Sequence, residues 1–113
     1  MGWEEILKSR PPSTRRNSFP KKNLPLIKRI IEEIYMSIPK GTEFSARDYY
    51  SKFIQMVESE VPKKENAHGR SRFTHWVNKN ALNWFTNFFP KYGINRNYIV
   101  RESGGKRVTF RRI

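Results

Sequence analysis

Isoleucines recur at 27, 30, 31, 34 and 38, the i, i+3, i+4, i+7, i+11 spacing of a one-sided helical stripe. The spacing predicts a first helix over 24–38, with Pro25 suited to its first turn and Pro39 and Gly41 ending it. Residues 42–44 follow as a short extended piece. Ser45 then stands as an N-cap three positions before Asp48, and Tyr49, Tyr50, Phe53, Ile54 and Val57 give a second helix, 46–59, its buried face. The stretch 60–69, with Pro62 and Gly69, reads as a link. A third helix is predicted over 71–89, stopped by Pro90. On its wheel Phe73, Val77, Ala81, Trp84 and Phe88 fall within about 80° as a core face. Beyond it, 97–112 reads as a hairpin. Tyr98, Ile99 and Val100 face Val108, Thr109 and Phe110 across a turn signal at Gly104–Gly105; a two-residue turn there sets Glu102 opposite Arg107, and a bulge at the glycines shifts every pairing by one.

The predicted core is therefore Ile27, Ile30, Ile31, Ile34, Phe44, Tyr50, Phe53, Val57, Phe73, Val77, Trp84 and Phe88. The chain before 24 has a different character. Trp3, Ile6 and Leu7 would line one side of two helical turns over 2–9, too short to be stable alone. Residues 10–23 hold three prolines and one apolar side chain, Phe19, which is linker composition. The organisation expected is a short helix and flexible basic arm over 1–23, then one domain over 24–113. That domain is α+β, mostly α, with no internal repeat.

Composition narrows the chemistry. The 113 residues carry 23 Lys and Arg against 10 Asp and Glu, a formal net charge of +13. The excess is +4 over 1–23 and +10 over 63–113, whereas 24–62 stands at −1. The basic last half also holds more than half of the aromatic residues, so its charge belongs to a folded surface rather than a solvated tail. A polyanionic partner is implied. There is no cysteine and only two histidines, His68 and His75, which excludes disulfides, thiolate metal sites and a cysteine nucleophile. No apolar run approaches the ~20 residues that span a bilayer, and the first residues lack the apolar run of a secretory leader. The chain is expected to work in the cytoplasm, without membrane, cofactor or small-molecule substrate. The carboxylates of 63–113, Glu65 and Glu102, stand apart, so no catalytic constellation is read and the chain is expected not to be an enzyme.

One side of the predicted third helix gathers Arg72, His75, Lys79, Asn83 and Thr86 without a carboxylate, and Trp76 faces the same polar side. Arginine reads guanine with its planar fork, asparagine pairs with adenine, and lysine fixes phosphate. Trp76 would either close the core against the N-terminal segment or stack on a base. The order of elements, carried by TEFSARDYY, SRFTHWVNKNALNWF and YIVRESGGKRVTF, resembles the winged helix-turn-helix family over 24–113. That resemblance implies duplex DNA as partner, with the third helix in the major groove and the hairpin as wing. It assigns base readout to Arg72, His75, Lys79 and Asn83, and phosphate contact to Arg101, Lys106, Arg107 and Arg111. Arg70, Trp76 and the arm residues Arg15 and Arg16 complete the candidate set. The link before the third helix, about ten residues, is longer than the family's turn. A transcriptional regulator or architectural DNA-binding protein is the first reading. An RNA-binding or ribosome-associated protein is the second, and a protein-interaction module on the same fold the third.

Overall fold

The computed structural model describes residues 18–64, 67–104 and 107–113, with the side chains of 62–64, 67–71, 103, 104 and 107 outside that description. The expected helix at 2–9, Arg15, Arg16 and Lys106 therefore lie outside the described residues, as do the side chains of Arg70 and Arg107. Among the described residues, five helices, a short 3-10 turn and three strands follow in the order α1 (Ser18–Lys22), α2 (Leu24–Ser37), β1 (Glu43–Phe44), the turn Ala46–Tyr49, α3 (Tyr50–Lys64), α4 (Ala67–Lys79), α5 (Ala81–Asn95), β2 (Ile99–Gly104) and β3 (Arg107–Arg112). The strands form one antiparallel sheet in the order β1-β3-β2. The fold is α+β and mostly helical. No helix of the described residues is long and apolar enough to cross a membrane.

The isoleucine stripe behaves as expected: Ile27, Ile30, Ile31, Ile34 and Ile38 are all buried. Ser45 starts the 3-10 turn, and its backbone N–H donates to Asp48 Oδ2 at 2.8 Å. From there Phe53, Val57 and Val61 bury one face at i, i+4 and i+8. Burial of Val61 carries α3 through Pro62 to Lys64, and α4 begins at Ala67, so most of the expected link over 60–69 is helical.

The predicted third helix is two helices. Asn80, at φ −145° and ψ −4°, leaves helical geometry between α4 and α5. Asparagine competes with the backbone for hydrogen bonds and favours such helix starts. The break resets the phase of the apolar stripe. Phe73 and Trp76 are buried on α4, and Ala81, Phe85 and Phe89 on α5, whereas Val77, Trp84 and Phe88 are half-buried. Tyr50 is half-buried as well. Trp76 is fully buried and stacks on Phe19 at 5.2 Å, so it closes the core against the N-terminal segment and offers no face to a base. Phe19, 1% exposed, is thus core rather than linker, and α1 is docked on α4.

Pro90 does not stop α5, which runs on to Asn95. A proline in mid-helix removes the hydrogen bond to the carbonyl four residues back and crowds it, at ~3 kcal/mol or more. Contacts from α2 offset that cost. The Tyr35 ring stacks on Phe89 at 4.4 Å, and its hydroxyl donates to the Phe89 carbonyl at 2.5 Å. Gly93 makes the approach possible, since a Cβ there would collide with the Tyr35 hydroxyl. One turn further, the hydroxyls of Tyr92 (2.6 Å) and Tyr98 both donate to the Glu32 carboxylate. The chain leaves the helix instead at Asn97, whose φ of 61° is left-handed backbone that asparagine tolerates.

In the hairpin, Gly104 pairs with Arg107 and Glu102 with Thr109, so the register is not the one that a two-residue turn at Gly104–Gly105 would set. Arg112 is buried rather than displayed. Its Nε donates to the Tyr35 carbonyl at 3.0 Å and its Nη1 to the carbonyls of Tyr98 (3.2 Å) and Ile113.

The phase reset predicts that Phe85→Ala destabilises the fold by ~3–5 kcal/mol and Trp84→Ala by less, measured by urea unfolding; the opposite order contradicts the two-helix packing. Glu32 gives a pH prediction. Bonds from Tyr92 and then Tyr98 hold its carboxyl below the ordinary carboxylate range near 4.5, against a smaller opposing effect of burial. A lowered folded-state pKa contributes stability that is present above that range and lost as pH falls through the folded value. The melting temperature of the wild type should therefore approach that of Glu32→Gln as pH drops below about 4.5. A gap that is constant from pH 7 to pH 3 contradicts the carboxylate's role.

Candidate nucleic-acid interface

Extending α5 past Pro90 puts Asn83, Thr86, Pro90, Lys91 and Ile94 on one stripe, spaced i, i+3, i+7, i+8 and i+11. That stripe forms one wall of a groove enclosing about 1040 Å³. The 3-10 turn supplies a second wall through Ser45, Arg47 and Asp48. The hairpin supplies the third through Arg101, Val108 and Phe110. Strand alternation explains the choice: Arg101 pairs with Phe110, and Val108 lies two residues along on the same face. Leu82, Asn95 and Ala46 complete the lining.

The groove is cationic and rich in amides. Arg47, Lys91 and Arg101 are exposed, and among the described residues none of the three makes an ion pair. The one carboxylate, Asp48, already accepts the Ser45 N–H. Asn83 is exposed, and its backbone carbonyl accepts from Thr86 Oγ1 (3.1 Å) and Asn87 Nδ2 (2.8 Å). Asn95 is exposed beside it. Cations held without carboxylate partners beside exposed asparagines suit a polyanion whose base edges carry donors and acceptors.

No family model, no curated protein and no solved structure matches this chain.

Of the residues expected from the sequence, Asn83 and Arg101 line the groove together. Arg72, His75 and Lys79 do not join them. They ride on α4, which packs on α1, α3 and α5, and the break at Asn80 separates them from the stripe of α5. His75 and Lys79 are exposed there and Arg72 is half-buried. Trp76 is in the core. Arg111 lies on the opposite face of the hairpin, where it pairs with Glu102 at 2.9 Å. Glu43 stands next to it as its strand partner and accepts from Thr109 Oγ1 at 3.2 Å. The backbone of Arg70 lies in α4 and that of Arg107 in β3.

Sequence reasoning missed Arg47, Lys91, Ile94 and Asn95. The signal was present in the spacing of 83, 86, 90, 91 and 94, but reading Pro90 as a stop cut the stripe short. Arg47 belonged to a segment of near-neutral charge, and only the packing of the 3-10 turn on α5 brings it to the groove.

Proposed function

We propose that this chain is a nucleic-acid-binding protein that holds duplex DNA in the groove between the 3-10 turn, α5 and the hairpin. The convergence of Arg47, Lys91 and Arg101 with the exposed Asn83 and Asn95 carries the reading. The order helix, short strand, helices, hairpin, with the sheet order β1-β3-β2, supports a winged-helix arrangement. In it α5, the helix directly before the hairpin, is the element that enters the major groove, and β2–β3 is the wing. This replaces the single helix over 71–89 as the reading element. Arg15, Arg16, Lys106 and Arg107 would add phosphate contacts. A transcriptional regulator or an architectural protein is the role such a module serves.

Each phosphate neutralised on duplex DNA releases counterions and steepens the log–log dependence of affinity on salt by about 0.9. Replacing Arg47, Lys91 or Arg101 by Ala should make that slope shallower by about 1 per residue and weaken all duplexes alike, read by fluorescence anisotropy across a salt series. Asn83→Ala should cost ~1–3 kcal/mol on a preferred site and far less elsewhere. Arg111→Ala, whose charge is neutralised on the far side of the hairpin, should leave the slope unchanged. A slope that responds to Lys79→Ala and not to Lys91→Ala would move the interface to α4 and contradict the proposal.

A further inference from the structure

Two large aliphatic side chains are exposed inside the groove: Ile94 is 43% and Val108 48% accessible. One stands on the wall of α5 and the other on the hairpin. Neither is needed to close the core, whose wall here is Phe110, only 6% accessible. Together they offer an apolar contact to a polyanion held in this cationic, amide-lined groove.

Nucleic acids offer few such partners. A single strand is gripped through the faces of its bases, which requires exposed aromatic rings. Phe110 is the one ring among the described lining residues, and it is buried, so they offer no stacking platform. Double-stranded RNA closes its narrow, deep major groove to side chains. The major groove of B-DNA presents the C5-methyl of thymine, beside the N7 acceptor and N6 donor of the paired adenine. Asparagine matches the adenine edge with its two-atom amide, and an aliphatic side chain matches the methyl.

We infer that Ile94 and Val108 pack on thymine methyl groups while Asn83 and Asn95 address adenine, so that the groove selects A·T pairs of duplex DNA over RNA and over single strands. This rests on the duplex reading of the groove and adds the base pairs it prefers. An aliphatic wedge pushed into the minor groove would use the same two residues, but it would not sense the C5-methyl, which lies only in the major groove.

The test replaces thymine by deoxyuridine throughout an A·T-containing duplex, leaving the protein and every other atom of the DNA unchanged. The unmodified chain should bind the uracil duplex more weakly, by roughly 4-fold for each buried methyl group that the replacement removes. In the double variant Ile94→Ala, Val108→Ala, which alters only exposed positions, thymine and uracil duplexes should bind equally. Equal binding of both duplexes by the unmodified chain overturns the inference and leaves the duplex reading standing. A methyl effect that survives in the double variant overturns it too, because the methyls are then met elsewhere. Loss of all duplex binding, with single strands or RNA bound instead, overturns both.

Discussion

Tyr35 holds the groove in shape. Its ring lies parallel to Phe89, its hydroxyl donates to the Phe89 carbonyl, and its own carbonyl accepts from the buried guanidinium of Arg112. The first two contacts hold α5 beside the residue where Pro90 would otherwise break it. The third ties the end of β3 to α2. One residue of the scaffold, through its ring, hydroxyl and carbonyl, thus sets the position of two of the three walls of the groove. Burial pushes the Tyr35 phenol well above its ordinary range, so the hydroxyl remains a donor wherever the protein is folded. Gly93 serves the same contact by leaving room for it.

With those walls fixed, charge is sorted by face. The outer face of the hairpin mixes signs, with Arg111 against Glu102 and Glu43 beside them. Arg29 on α2 likewise faces Glu33 and Glu60, each at 3.5 Å. Inside the groove, Arg47, Lys91 and Arg101 have only Asp48 as counterweight, and Asp48 is engaged by the Ser45 cap. Surface ion pairs contribute little to stability, but they cancel local field. In the groove that cancellation is missing, and its potential would draw a polyanion there.

Local signals in the sequence were accurate where local physics decides. The Ile27 to Ile34 stripe, the Ser45 start and the strand composition of the hairpin all appear in the structure, because period, cap and β-branched residues act within a few positions. Readings failed where a distant contact overrides a local rule. Pro62 and Pro90 carry the ordinary penalty for a helix interior, yet Val61 and Tyr35 outweigh it through packing that no window of sequence contains. Asn80 is a weak breaker, and the stripe from Phe73 to Ala81 looks the same with or without it. The consequence was large. The phase shift moved Phe85 inward, left Trp84 half-buried, and separated Arg72, His75 and Lys79 from Asn83. Phe19 showed only as one apolar residue in a basic linker, although it fills the space beside Trp76.

Resonance-by-resonance titration of the backbone amides with a short DNA duplex tests the placement of the interface most directly. Shifts should concentrate at Arg47, along Asn83 to Asn95 and at Arg101 and Val108, while His75, Lys79 and Arg111 hold still. Shifts that instead follow α4, or the outer face of the hairpin, would contradict a binding groove between the 3-10 turn, α5 and the hairpin.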